Sequence, residues 1–249
     1  MLWGKIKKSC RKAARSLKRL YEKRVLGKTE VLVVGDSHTE VFKLHIFRKY
    51  FPGHFFSVTT VGGATASGLE NPNSKTQAYR IFREAIRASD ARLAIIQLGE
   101  VDTGFVIWYR ARKYHADVSE MKQRAVDTLT RFISEVAATH VPVVISAPLP
   151  TIGDEVEWGE VAKARSEVTA TQRERTDLTL AFNREIAEFC ADNDYCYISL
   201  DNECMGENGL VNPAVLNTDI RDHHYDEDIY AGLLHRKLQP ILNQERTVA

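Results

Sequence analysis

The chain has 249 residues, of which 44% are hydrophobic and 27% are charged, and its formal net charge is +1. This composition is typical of a globular protein with a sizeable core, and no apolar run approaches the ~20 residues of a membrane-spanning helix. Residues 1–28 hold eleven of the 34 basic residues and one of the 33 acidic residues, which leaves 23 basic and 32 acidic residues elsewhere. An acidic body argues against a nucleic-acid-binding surface on it.

The first predicted element is a basic amphipathic helical arm over residues 1–28. Its apolar residues recur every three or four positions, and lysines and arginines fill the positions between them. The arm lacks the continuous apolar stretch of a signal peptide, so we expect a cytoplasmic protein. Two interpretations are open. The arm binds an anionic membrane surface or a partner protein, or it packs on its own domain with its basic side in solvent.

After residue 29 the sequence alternates between strand and helix patterns. Short β-branched or aromatic runs predict strands at 30–34, 55–61, 93–98, 141–147 and 195–200. Helical periodicity predicts helices at about 39–50, 74–88, 117–139, 168–192 and 226–243. This alternation predicts one α/β domain over residues 29–249, with a five-stranded parallel sheet between two layers of helices.

The sequence Gly35-Asp36-Ser37-His38-Thr39 follows the first predicted strand directly. Backbone N–H groups and the helix N-terminus favour negative charge at such a strand–helix junction. A serine there can attack a carbonyl while its own amide holds the oxyanion. The alternative is that the hydroxyl of Ser37 only caps the helix.

Glycines and ionisable residues also follow other predicted strands. They are Gly62 and Gly63 after the second strand, Glu100 and Asp102 after the third, and His223 and His224 before the last helix. The carboxyl ends of parallel strands meet at one edge of the sheet, so these groups can surround Ser37. A Ser–His–Asp relay needs such an arrangement.

In this order the motifs resemble those of the SGNH (GDSL-type) hydrolase superfamily, which contains esterases, lipases, deacetylases and some acyltransferases. The resemblance covers residues 30–243 and implies a flavodoxin-like three-layer α/β/α sandwich. It also implies that Ser37 is the nucleophile, that Gly63 donates to the oxyanion, and that His224 transfers the proton.

One departure from the family pattern concerns the oxyanion. The asparagine of the third motif, which donates a hydrogen bond in the family, corresponds to Val101. The oxyanion hole would then rest on the amides of Ser37 and Gly63, or Glu100 or Asp102 would act differently. Losing one such donor typically costs ~10²–10³ in rate.

The second departure concerns the acid of the relay. The family has an aspartate three residues before the histidine, where this chain has Arg221. We expect Asp222 to orient His224, because residues two apart share one side of an extended loop. The rival pair is Asp219 with His223, which requires the stretch to turn helically.

The third predicted loop is crowded with aromatic and cationic residues, among them Trp108, Tyr109 and Arg110. Such a surface suits stacking on a sugar or binding of an anionic head group. The alternative is an arm that packs against the domain.

The leading hypothesis is a cofactor-free serine esterase or deacetylase that acts on a small-molecule or glycan ester. An O-acyltransferase would use the same residues, and a binding protein on this fold is a third class. A fourth alternative is a metal-dependent phosphoesterase that uses the Asp/His cluster at 219–228 together with Asp36 and His38. For the leading hypothesis we expect no metal site.

Overall fold

Five parallel strands form the sheet at the centre of the structure, a computed structural model that describes residues 17–155 and 169–248. The strands are β1 (Thr29–Gly35), β2 (His54–Thr60), β3 (Leu93–Gln97), β4 (Val141–Ile145) and β5 (Cys196–Ile198). Their order across the sheet is β2-β1-β3-β4-β5, and every neighbouring pair is parallel. This confirms the predicted sheet.

The α-helices that follow these strands or lie between them are α1 (His45–Tyr50), α2 (Ala78–Ala88), α3 (Ile107–Tyr114), α4 (Val118–Ala137), α5 (Gln172–Asp192), α6 (Asp201–Cys204) and α7 (Glu227–Val248). Short 3-10 helices cover Ser37–Lys43 and Pro213–Val215, and π-helical turns cover Tyr21–Val25 and Asp102–Val106. Within the two described stretches, no helix is both long enough and apolar enough to cross a bilayer.

The helices pack on both faces of the sheet, as the predicted sandwich requires. Alternate residues of β1 point to opposite faces, and β1 is buried on both. Leu32 and Val34 pack in a cluster with α2, α4 and α5, whereas Val31 and Val33 pack in a second cluster with α1 and α7. The interior strand β1, which precedes Ser37, is therefore held by core packing from both sides.

Two predicted elements differ from the structure. The predicted helix at 39–50 is a 3-10 helix followed by α1, because Leu44 adopts an extended conformation between them. The predicted loop after β3 is largely helical, since Asp102–Val106 forms a π-helical turn that continues directly into α3. Residue 168, the predicted start of the fourth helix, lies outside the described residues.

The described part of the N-terminal arm is a helix over residues 17–25 that contacts the domain through its charged side chains. Arg19 Nε and Lys23 Nζ lie 2.7 Å and 2.9 Å from Oε2 of Glu30, which is only 2% exposed. Both cations also contact Asp90. For Arg19 and Lys23 the interpretation of a basic side in solvent is therefore wrong, whereas Lys18 and Arg24 are exposed. Residues 1–16 lie outside the described range.

We expect Arg19→Ala/Lys23→Ala to lower the free energy of unfolding by about 3 kcal/mol, because it leaves a buried carboxylate without a countercharge. Adding Glu30→Gln to the double variant should restore most of the loss. Urea denaturation measures both effects. The control is Lys18→Ala/Arg24→Ala, which removes two exposed cations of the same helix and should change stability by less than about 0.5 kcal/mol. An equal loss in the control would contradict the role of Glu30.

Candidate active site

The end of β1 is built around a glycine and a buried aspartate. A Cβ at Gly35 would lie 2.2 Å from the backbone oxygen of Gln97 on β3, so no other residue fits. Asp36 caps the following 3-10 helix, and its Oδ1 accepts the backbone N–H of His38 at 3.0 Å. Because Asp36 supplies the cap, the hydroxyl of Ser37 is not needed for that purpose.

The hydroxyl of Ser37 lies against the imidazole of His224 instead. The distance from Ser37 Oγ to His224 Nε2 is 2.8 Å, and His224 Nδ1 lies 2.7 Å from Oδ1 of Asp222. An ionised carboxylate only accepts hydrogen bonds, so the proton of the neutral imidazole belongs on Nδ1. Nε2 is then free to accept the proton of the Ser37 hydroxyl.

The pKa of Asp222 supports this tautomer. Burial raises the pKa of Asp222, but hydrogen bonds from the backbone and side chain of His224 outweigh burial and hold it below its ordinary value. The carboxylate is therefore ionised at neutral pH. Its Oδ1 also accepts the backbone N–H of His224 at 2.9 Å, so one oxygen fixes both the ring and the backbone of the histidine.

The residues that follow His224 hold the loop in place. Tyr225 is only 2% exposed, and its hydroxyl accepts the backbone N–H of Leu149 at 2.7 Å. The carboxylate of Asp226 accepts the backbone N–H groups of Asp228 and Ile229 and so caps the first turn of α7. The histidine is thus fixed between a buried tyrosine and the start of a long helix.

The rival pair does not form a relay in this conformation. Asp219 accepts hydrogen bonds from the backbone and the guanidinium of Arg221 and points to solvent. The ring of His223 lies beside that of His224, with centroids 3.9 Å apart. Of the two predicted pairs, the pair of Asp222 and His224 is the one whose histidine contacts Ser37.

The glycine loop lies next to the end of β1. Val61 donates its backbone N–H to the carbonyl oxygen of Gly35 at 2.9 Å, which brings residues 61–63 alongside Ser37. Gly63 has φ +68°, a conformation that favours glycine, and there is open space where a Cβ would lie. Gly63 is exposed, and its role as an oxyanion donor stays a prediction.

The sequence places Asp102 among the groups around Ser37, but the residue is completely buried behind this loop. Its carboxylate accepts the backbone N–H of Ala66 at 2.6 Å and both the backbone N–H and the hydroxyl of Ser67, at 3.1 Å and 2.6 Å. Burial raises the pKa of Asp102 to about 6, although these hydrogen bonds oppose the increase. Asp102 is therefore a positioning residue for the loop that carries Gly63.

Glu100 and Val101 are also buried, at 3% and 7% exposure. The charge of Glu100 acts on His38. Val101 has an apolar side chain and offers no hydrogen bond to an oxyanion. The departure from the family pattern at this position therefore leaves the backbone amides of Ser37 and Gly63 as the predicted donors.

A second Asp–His pair, which sequence reasoning missed, lies beside Ser37. His38 is 3% exposed, and its Nδ1 lies 3.0 Å from Oδ1 of Asp36. Burial alone would lower the pKa of His38, but the Asp36 carboxylate and the charge of Glu100 raise it overall. The rings of His38 and His224 have centroids 4.7 Å apart, so the pair forms part of the wall against which His224 packs.

The aromatic and cationic residues after β3 lie on α3. The indole N–H of Trp108 donates to the carbonyl oxygen of Thr103 at 2.7 Å, which is a contact within the same segment. Tyr109 stacks on Phe105 with centroids 5.7 Å apart, and the charge of Arg110 acts on the buried Asp102. These contacts of Trp108 and Arg110 lie within the segment that follows β3, and α3 itself packs on the domain through the buried Ile107 and Ala111.

The Asp/His cluster contains one set of ligand atoms close enough to share a metal ion among the described residues. Asp222, His223 and His224 each offer an atom within 4.8 Å of the others. Asp222 and His224 are already hydrogen-bonded to each other, and Asp36 is bonded to His38. These contacts account for the arrangement of the cluster without an ion.

The sequence matches no protein-family model and no curated protein. Several solved structures are similar in fold. A GDSL-like lipase from Bacteroides thetaiotaomicron superposes with a TM-score of 0.62 at 13% identity, over 92% of this chain and 97% of that one. The carbohydrate acetylesterase Est24 from Sinorhizobium meliloti gives 0.57 at 12% identity, over 87% and 100%. The chain has the α/β/α fold of the SGNH (GDSL-type) hydrolases, as its motifs predict.

The raised pKa of Asp102 predicts a specific pH dependence of stability. A carboxyl with a pKa of about 6 when folded and 3.8 in its ordinary state binds more protons in the native protein, so its contribution to stability increases as pH falls from about 7 to about 4. We expect wild type to gain up to about 3 kcal/mol relative to Asp102→Asn over this range. Urea denaturation of both proteins at pH 7.5 and 4.5 measures it, and a pH-independent difference would contradict the prediction.

Proposed function

We propose that the protein is a serine-dependent acyl-ester hydrolase. The observation that carries the proposal is the 2.8 Å contact between Ser37 Oγ and His224 Nε2, with Asp222 2.7 Å from the other ring nitrogen. A serine at a strand–helix junction, a histidine oriented by an ionised carboxylate and a glycine loop beside them form a set suited to acyl transfer.

The proposed reaction has two steps. Ser37 Oγ attacks the ester carbonyl while Nε2 of His224 takes its proton, and the oxyanion accepts N–H bonds from Ser37 and Gly63. Collapse expels the alcohol, which receives the proton from His224, and leaves an acyl-serine. Water then attacks the acyl-serine while His224 takes a proton from it, and collapse breaks the bond to Ser37 Oγ, which receives that proton as the acid leaves. Throughout, Asp222 stabilises the imidazolium and holds its Nδ1–H.

We further propose that the ester belongs to a small polar molecule, such as an acylated carbohydrate, in the cytoplasm. The side chains of His224 and Asp222 are 30% and 37% exposed, so the site is open to a water-borne substrate. Phe105 of the π-helical turn and Tyr109 of α3 stack on each other, and they form an aromatic surface that suits a sugar ring. Est24, which has this fold, is a carbohydrate acetylesterase.

Labelling with a fluorophosphonate tests the nucleophile. We expect wild type to be labelled at Ser37 and to hydrolyse a short-chain aryl ester, and Ser37→Ala to lose labelling and at least about 10³-fold in kcat. Ser134→Ala, which removes an exposed serine on α4, is the matched control and should behave as wild type. Turnover that persists in Ser37→Ala would refute the mechanism, and ester products formed with an added alcohol would identify a transferase.

A pair of aspartate variants tests the acid. Asp222→Asn should lower kcat about 10²–10⁴-fold, because an amide no longer holds the imidazole in the tautomer that accepts the serine proton. Asp219→Asn, three residues earlier in the same loop, should retain kcat within about twofold. Steady-state kinetics on the same ester separates the two, and the reverse order of effects would support the pair of Asp219 with His223.

A further inference from the structure

The helix over residues 17–25 turns its apolar side away from the protein. Leu17 is 68% exposed, Tyr21 is 53% exposed and Val25 is 66% exposed, and these three residues are four apart along the helix. Leu20 on the helix and Leu26 just after its end are also exposed, at 48% and 45%. We call these five residues the apolar stripe. A contiguous exposed stripe of this kind marks an interaction site, unlike scattered exposed apolar residues.

The stripe is exposed because the opposite side of the helix is fixed by charge. Arg19 and Lys23 both point to the domain, where they contact the buried Glu30 and the exposed Asp90. A helix on the surface of a domain ordinarily buries its apolar side and leaves its charges in water. The reversed arrangement leaves the five apolar side chains of the stripe exposed to solvent.

The charges around the apolar stripe indicate the kind of partner that binds it. Lys18 and Arg24 are exposed on the same helix, and residues 1–16 contribute six more basic residues and no acidic one. A second copy of the chain would bring an equally basic segment against this one, which like-charge repulsion opposes. Apolar side chains flanked by cations match the interface of an anionic lipid bilayer.

We propose that the apolar stripe docks the protein on anionic lipid membranes. The edge of the sheet that carries Ser37 and His224 then faces away from the lipid. Glu30 lies at the start of β1 and Ser37 just beyond its end, so at ~3.3 Å per residue they are about 23 Å apart along the strand. Asp90, the other anchor, lies before β3 begins. The lipid surface is thus the support of the enzyme and not its substrate.

Vesicle sedimentation tests the proposal with the full chain. We expect wild type to bind vesicles that contain about a third phosphatidylserine at least about tenfold more tightly than pure phosphatidylcholine vesicles, and less tightly at high salt. Leu17→Ser/Tyr21→Ser/Val25→Ser should weaken binding about tenfold or more. Tyr114→Ser, which removes a 62% exposed tyrosine elsewhere on the body, is the control and should bind as wild type. Thermal unfolding verifies that each variant folds.

Three results would overturn the proposal: no binding to anionic vesicles, equal binding of wild type and the triple variant, or oligomers of wild type without vesicles that the triple variant abolishes. The last would identify a second copy of the chain as the occupant. The assay needs no turnover, so its outcome is independent of the esterase proposal. In addition, hydrolysis of a water-soluble ester should be equal in wild type and the triple variant.

Discussion

The contact between Ser37 and His224 joins the first strand of the sheet to the loop before the last helix, 187 residues away. It depends on two packing arrangements. β1 lies between β2 and β3, so its end is fixed by a neighbouring strand on each side. α7 packs against α1 and the 3-10 helix in the same apolar cluster as Val31 and Val33, which brings the loop that precedes it to the end of β1. The relay geometry is thus a consequence of how the core packs.

Around this contact, buried carboxylates hold the backbone in place. Asp36 fixes the turn that presents Ser37, and Asp102 fixes the loop that carries Gly63, each by accepting backbone N–H groups. Burying a carboxylate costs free energy, as the raised pKa of Asp102 indicates. Rigid placement of the proposed oxyanion donors is a benefit that offsets this cost, because donors that need no reorganisation stabilise charge most effectively. Asp102 therefore lowers the stability of the fold at neutral pH while it holds the loop that carries Gly63 in place.

The sequence predicted the strands and most long helices well, because β-branched runs bounded by glycine and helical apolar periodicity are local signals. It favoured Asp222 over Asp219 from spacing alone, and the hydrogen bonds between Asp222 and His224 in the folded loop decide between them. The sequence also could not predict the direction in which the carboxylate of Asp102 points. Its motif position indicates the edge of the sheet, but the π-helical turn after β3 directs its carboxylate into the protein, and only tertiary contacts reveal that direction.

β1 connects the two ends of the molecule. Its second residue, Glu30, anchors the N-terminal helix, and its last residue, Gly35, leads into Asp36 and Ser37. The residues of the domain that Arg19 and Lys23 contact lie at the amino ends of strands, whereas the relay lies at the carboxyl ends. A lipase that extracts its substrate from a bilayer needs its nucleophile to face the lipid. An enzyme docked as proposed presents its nucleophile to water, and that orientation supports the proposed small, polar, water-borne ester over a membrane lipid.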